Sequence, residues 1–254
     1  MLLLKLLLVP GLVAAVTVAV RRWGPAVGGW LAGLPVVAGP VLVFYALEQG
    51  TLFAARAANG TLTGLIATVA FVVAYASASA RWSWPACVAL GWTTFAAVVL
   101  TLHAAQLGSI SSLAAVVAAT VIGRRALPRL PPAPAAASVR HPRSDLPVRL
   151  VATATLVVSL TGLADQLGPN LSGLLNAFPV LTTIIAVFTH AQRGRAAMVE
   201  FLNGYLQSVV AFALFCVVMA AALPSLGLAR TLIAALTVQF ASHALLLWRV
   251  SRAG

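Results

Sequence analysis

The chain has 254 residues, of which 61% are hydrophobic and 8% are charged, and its formal net charge is +12. A soluble domain carries roughly 25% charged residues, so this composition excludes a water-soluble surface and predicts a polytopic helical membrane protein. The basic residues gather at the ends of apolar runs and in one stretch, Arg124 to Arg149. This distribution is typical of cytoplasmic loops and argues against nucleic-acid binding.

The apolar runs predict about nine membrane-spanning helices, each near the ~20 residues that cross ~30 Å of hydrocarbon. In chain order they cover residues 2–20, 26–48, 52–78, 84–105, 108–123, 148–164, 170–191, 195–222 and 227–248. The fifth run is the shortest. The segment that follows it is rich in arginine and proline and predicts an extended cytoplasmic linker that could also contact anionic lipid.

The loop charges predict an orientation. Arginines occupy the odd-numbered loops and the C-terminus, whereas the even-numbered loops hold few charges, Glu48 and Asp165 among them. Because positive loops stay in the cytoplasm, the N-terminus is expected outside and the C-terminus inside. Arginine is preferred over lysine and alanine is abundant, a composition that indicates a GC-rich bacterium and hence its cytoplasmic (inner) membrane.

An internal duplication with an offset of 144 residues organises the chain. The segment from Gly24 to Leu62 matches the segment from Gly168 to Leu206 at 12 of 39 positions, and most of these identities are Gly, Pro or Asn rather than the abundant Ala, Val and Leu. A period this long indicates a duplicated half rather than a solenoid repeat.

The duplication predicts two inverted halves. Spans one to four match spans six to nine, and the fifth span connects them, so the second copy enters the membrane from the opposite side. The expected fold is an all-α membrane protein with two inverted-topology four-helix repeats, 1–107 and 148–254, joined by a connector helix and linker at 108–147. Parallel halves would follow if 108–123 did not cross.

Two prolines at matched positions mark the centre of the duplicated helices. Pro35 and Pro179 each lie 11 residues after a boundary glycine, ~16 Å into the membrane. A proline in a helix interior removes a hydrogen bond, so the carbonyls of Leu31 and Leu175 are expected to need other partners. Gly39-Pro40 predicts a second break in the first half only.

Matched polar residues follow in the third and eighth spans at the spacing i, i+3, i+7, which places each set on one helix face. They are Arg56, Asn59 and Thr63 in the first half and Glu200, Asn203 and Gln207 in the second. Intramembrane polar residues indicate a substrate pathway. The alternatives are snorkelling of the charged side chains and hydrogen bonds between helices for the asparagines.

Glu200 is the acid placed inside the core and is a candidate for proton coupling, with His243 as the second candidate. No histidine pair has metal-ligand spacing, and no phosphate-binding loop or nucleophile elbow occurs. We therefore expect neither a metal, nor a cofactor, nor catalytic residues, and the chain is not expected to be an enzyme.

The motif Gly-Pro-x-x-x-Gly-x-Leu-x-x-x-Pro, at 24–35 and 168–179, resembles that of GlpM-like small bacterial inner-membrane proteins, which carry one such helix per short chain. The resemblance covers about 24–50 and 168–194. It implies a half-size unit that pairs with itself, here fused into one chain, and it brings no substrate.

The function expected from these features is transport or facilitated diffusion of a small solute or ion through a site between the repeats. A non-transporting scaffold in envelope biogenesis and a channel remain as alternatives. Oligomeric state is open, and a homodimer is compatible with the sequence.

Overall fold

The computed structural model describes residues 2–35, 37–105, 107–131, 147–155 and 169–253, with only the backbone of 2–10, 12, 169, 170 and 246–253. Within these ranges the chain is helical almost throughout and contains no β-strand. The central part of the predicted linker, 132–146, and the end of the sixth predicted span lie outside the described residues.

The helices follow the predicted runs closely. The first six are α1 Leu2–Trp23, α2 Pro25–Ala32, α3 Ala38–Glu48, α4 Thr51–Ala78, α5 Trp84–Ala105 and α6 Ser109–Ala126. We call the helical residues 147–155 α7, and α8 is Pro169–Asn176. The last helical stretch, Val180–Ala253, is divided by non-helical residues at Gly194 and Gly227 into α9 (180–193), α10 (195–226) and α11 (228–253).

Four helical stretches of the described chain are long and apolar enough to cross a membrane: Thr51–Ala78, Trp84–Ala105, Ser109–Ala126 and Leu171–Leu245. In α4, 67% of the most apolar stretch is buried inside the protein, whereas the buried share is 22% in α5 and 22% in α6. The core is therefore built around α4, and α5 and α6 turn apolar side chains such as Leu100, Ile110 and Ile122 outward. An outward face of this kind suits lipid, so the chain is an all-helical protein of the membrane type.

The predicted proline breaks in the second and seventh runs are confirmed, since each run forms two helices separated by a short gap around its proline. In the first half one helix ends at Ala32 and the next begins at Ala38, and in the second half one helix ends at Asn176 and the next begins at Val180. The predicted second break at Gly39-Pro40 is wrong. Pro40 lies in the first turn of α3, where a missing N–H removes no helical hydrogen bond.

The two breaks have the same hydrogen bonds at the same offset. Gly39 N–H donates to the Pro35 carbonyl at 2.7 Å, and Thr183 N–H donates to the Pro179 carbonyl, also at 2.7 Å. The end of α2 and the end of α8 are likewise each closed by consecutive i→i+3 bonds. The two matched segments therefore share local backbone geometry as well as sequence.

Each broken helix packs on the other half of the chain. A Cβ atom on Gly29 of α2 would overlap the carbonyl oxygen of Phe201 in α10. A Cβ atom on Gly173 of α8 would overlap the carbonyl oxygen of Ala57 in α4. Gly173 lies 144 positions after Gly29, and Phe201 lies 144 positions after Ala57. The second contact is therefore the first one with the two halves exchanged. Glycine is required at both crossings because the backbones touch.

The long core helices α4 and α10 run antiparallel. Arg195, the first residue of α10, donates from Nε to Ser79 Oγ just beyond the end of α4, at 3.1 Å. Further along, Gly123 of α6 lies between Val69 of α4 and Leu206 of α10. The contact pairs 79 with 195 and 69 with 206, so the numbering rises in one helix as it falls in the other.

One end of the bundle is strongly basic. Arg193 Nη1 donates to the Val20 carbonyl at 3.3 Å, and Arg149 Nη2 donates to Gln192 Oε1 at 3.3 Å, so the ends of α1, α7 and α9 meet there. The basic end, as we call it, carries Arg21, Arg22, Arg81, Arg124, Arg125, Arg129, Arg149, Arg193 and Arg195. The opposite end holds Glu48 and Arg230 among its described charges.

Candidate functional site

The two helix breaks adjoin a single small cavity of about 40 Å³. Residues from both gaps line it, together with three polar side chains, Asn176 of α8, Thr182 of α9 and Tyr205 of α10. A space of this size holds on the order of one to a few water molecules. We call it the break cavity, and it is the point where both halves contribute interrupted backbone.

Asn176 ties the two breaks to the core. Its Nδ2 donates to Thr61 Oγ1 at 3.2 Å and approaches the Ala38 carbonyl, in the first turn of α3, at 3.4 Å. On the other side of the cavity, Tyr205 and Thr182 supply the remaining polar side chains of the lining. The described lining carries these three polar side chains among apolar ones and holds no charged group.

The carbonyls expected to be freed by the prolines are not free. The Leu31 carbonyl accepts from Leu34 N–H at 3.1 Å, and the Leu175 carbonyl accepts from Phe178 N–H at 2.9 Å. The helix ends tighten to i→i+3 bonds, which satisfies these groups locally. The carbonyl of Ala177, within the gap itself, accepts from Thr68 Oγ1 at 2.7 Å.

The polar face of α4 closes on the start of α6. Asn59 Nδ2 donates to the Leu107 carbonyl at 3.0 Å, and Asn59 Oδ1 accepts from Ser109 Oγ at 2.8 Å. Thr63 Oγ1 and Ser112 Oγ form a hydrogen bond of 2.7 Å. Asn59 and Thr63 also line a cavity of about 120 Å³. Asn59 thus holds the connection between α5 and α6.

The polar face of α10 lies in a different environment. Glu200 and Asn203 are half-buried and line a cleft of about 490 Å³ at the basic end, opposite Arg124 and Arg129. Gln207, one turn further along, is half-buried and makes no hydrogen bond within the described part of the chain. We call the space beside Glu200 the basic cleft.

The structure does not bring the matched polar residues to one point. Asn59 and Asn203 line separate cavities, and the antiparallel pairing of α4 with α10 sets them roughly 20 Å apart along the helix axes. Each asparagine lies nine residues after the glycine that precedes its helix, and in antiparallel helices as long as Thr51–Ala78 (28 residues) those two positions fall on opposite sides of the middle. Arg56 is exposed, since it lies one turn before the level at which α6 begins to cover α4.

His243 lies in a buried polar cluster against the first broken helix. Its ring meets that of Trp30 edge to face, with centroids 4.5 Å apart, and its Nδ1 lies 3.1 Å from the Gln239 carbonyl oxygen. The His243 Nε2, Trp30 Nε1 and Gln239 Oε1 atoms are buried without a hydrogen-bond partner among the described residues. The cluster touches α2 one turn before its break.

Sequence reasoning missed the polar residues of the break cavity. It looked for polar side chains present in both halves, and Asn176 and Thr182 correspond to Ala32 and Ala38 in the first half. The signal available was proximity, because Asn176 and Thr182 each lie three residues from Pro179. A search for polar residues flanking the proline would have found them.

Comparison with known proteins identifies no relative: no protein-family model, no curated protein and no solved structure matches the chain. Among the described residues no group of three or more metal-ligating side chains is present. The class that the fold and composition define is therefore a helical protein with membrane-compatible helices and two interrupted helices at its centre.

Proposed function

We propose that the chain is an integral membrane transporter or facilitator for a small solute or ion, built from two inverted repeats around the break cavity. The observation that carries this proposal is the meeting of two interrupted helices, one from each half, at one small uncharged cavity. In many transporters, broken helices at the interface of repeats place helix ends at the substrate or ion site.

The inverted arrangement is supported by the exchange of contacts between halves and by the antiparallel course of α4 and α10. Equivalent helices that run in opposite directions are related by an axis perpendicular to them. In a membrane that axis lies in the membrane plane. The nine predicted spans belong to the same proposal, with α2–α3 and α8–α9 each forming one interrupted span.

The basic end supports the proposed orientation. Nine arginines gather there among the described residues, and positive charge marks the cytoplasmic side of inner-membrane proteins. The cytoplasm then contacts the C-terminus of α1, the residues that directly follow α6, and the loop at Gly194. The proposed N-terminus is outside and the C-terminus is inside, in a bacterial inner membrane.

In this mechanism the break cavity is the central binding point, and the Asn59 cavity and the basic cleft lie towards its two sides. Rocking of one half on the other would open each side in turn, because α2 and α8 are fixed to the opposite half. The uncharged lining favours a small neutral solute or a monovalent ion. Glu200 and His243 remain the proposed groups for proton coupling.

Proteoliposome flux tests the proposal. Vesicles containing the purified protein and a pH-sensitive dye would be challenged with a panel of ions and small neutral solutes. We expect one of them to move faster than through protein-free vesicles, and Asn176→Ala and Tyr205→Phe to lower that rate about tenfold. The exposed Thr93→Val is the matched control. Absence of flux across the panel, or flux unchanged by both variants, would reject the site.

A scaffold role in envelope synthesis is the second candidate, and the basic end is the specific feature that favours it. A surface of this charge would attract an acidic partner or anionic lipid. The two candidates differ in whether the linker is needed for activity.

A further inference from the structure

The basic cleft carries four polar side chains that the protein itself does not use. Arg124 and Arg129 are exposed on one wall, and Glu200 and Asn203 are half-buried on the other. None of the four forms an ion pair or a hydrogen bond with another described residue. At about 490 Å³ the cleft is also the largest of the three cavities described above.

The duplication provides an internal comparison for this cleft. In the first half, the Asn59 amide nitrogen donates a hydrogen bond and its amide oxygen accepts one, and both bonds are to the α5–α6 connection. Its equivalent, Asn203, faces the cleft instead, one turn from Glu200. The second half therefore keeps the same polar position without the intramolecular partners, which is the arrangement expected of a site that serves another molecule.

The charges of the cleft have opposite signs on opposite walls. A guanidinium binds a phosphate through paired, charge-assisted hydrogen bonds. A carboxylate with no partner repels phosphate but binds an ammonium group. A ligand that carries only negative charge would be repelled by Glu200. A ligand with a phosphate and a primary amine would bind the arginines through its phosphate and Glu200 through its ammonium group.

The surroundings of the cleft are apolar on the side that faces lipid. Leu127 and Val199 line the cleft and are buried, and Val121 and Ile122 are exposed on α6 in the turn before Arg124. An acyl chain could follow this face of α6 while its headgroup entered the cleft. We propose that the basic cleft binds a phospholipid with a phosphate and a primary amine in its headgroup, of the phosphatidylethanolamine type.

In the proposed complex, Arg124 and Arg129 hold the phosphate, Glu200 accepts from the ammonium group, and the Asn203 amide bonds an ester or phosphate oxygen. This site shares Glu200 with the proposed proton coupling but none of the described lining of the break cavity, so lipid binding can be measured whether or not the chain transports a solute. Under the proposed orientation it draws lipid from the cytoplasmic leaflet.

Lipid binding to the purified full chain in detergent tests this site, using native mass spectrometry with phosphatidylethanolamine and phosphatidylglycerol of identical acyl chains. The wild-type protein should prefer phosphatidylethanolamine. Glu200→Gln should lower that affinity about tenfold and leave phosphatidylglycerol equal or tighter. Arg129→Ala should weaken both lipids. Arg56→Ala, the exposed residue at the equivalent position of the first half, should change neither.

A second variant guards against a folding defect. Asn203→Asp adds a carboxylate to the cleft and should raise the preference for phosphatidylethanolamine over phosphatidylglycerol. A preference that is absent in the wild type, or unchanged in both Glu200→Gln and Asn203→Asp, would overturn the proposal. Soluble phosphoethanolamine that competes as strongly as the lipid would overturn the lipid assignment and leave a site for a soluble zwitterion.

Discussion

Gly29 lies so close to Phe201 that a Cβ atom on the glycine would overlap the phenylalanine's carbonyl oxygen. Gly29→Ala should therefore destabilise the protein by about 1–3 kcal/mol, since a core without space must shift to admit a methyl group. The midpoint of unfolding in mixed detergent micelles measures this. Gly11→Ala is the control, because nothing lies within 4 Å of that position, and it should be neutral or slightly stabilising. Equal effects of the two changes would contradict the close crossing.

The duplicated asparagines should differ in their effect on stability. Asn59→Ala removes hydrogen bonds to Leu107 and Ser109, so it should lower the free energy of unfolding by about 1–3 kcal/mol. Asn203→Ala removes no bond within the described chain and should change the free energy by less than ~0.5 kcal/mol. The same unfolding assay compares them directly. A larger loss for Asn203 than for Asn59 would reverse the assignment of their roles.

Protonation of His243 should be visible at Trp30, because the two rings are in contact. A variant that keeps Trp30 as its only tryptophan should lose fluorescence as the pH falls and the imidazole becomes charged. His243→Gln in that background should abolish the change, whereas His190→Gln should not. Fluorescence that is independent of pH would remove His243 from the proton-coupling candidates while leaving the transport proposal standing.

Accessibility of single cysteines should test the inverted repeats. In a background where the buried Cys87 and Cys216 are replaced, Leu107→Cys and Asp165→Cys should react with an impermeant reagent added outside the cell. Arg81→Cys should react only after the membrane is opened. Protection of either position 107 or position 165 from outside labelling would break the proposed topology.

Deletion of 132–146 should separate the transporter from the scaffold. The deletion leaves Leu127 to Pro131 in place, where they line the basic cleft. A transporter should keep its flux, because the described lining of the break cavity comes from 32–38, 176–182, Tyr205 and Phe212. A scaffold that docks its partner on the linker should lose that partner in a cross-linking assay. Loss of flux with an intact fold would count against the transport mechanism.

The sequence predicted the described helices and the breaks at Pro35 and Pro179, though not the absence of a break at Gly39-Pro40, because helices and breaks depend on local chemistry. Apolar runs set the ends of α4 and α5, and Pro35 and Pro179 determined where their helices stop. The site was harder to predict because depth in the membrane was inferred from residue number alone. Arg56 is exposed and Asn59 is engaged by Ser109 since α6 begins between their levels, a tertiary detail that periodicity does not contain.

Asn176 shows a further reason for the gap between sequence and site. The cavity between the breaks is asymmetric, and its polar side chains come mainly from the second half. A search restricted to residues that are matched between the two halves therefore misses these side chains.

The exchanged crossings of α2 on α10 and α8 on α4 make each half an incomplete protein. Either half alone would expose the surface on which the broken helix of the other half packs. Two separate polypeptides, cut within 132–146, would therefore each be unstable yet assemble with one another on co-expression. The covalent link then contributes mainly effective concentration, which keeps one partner permanently beside the other.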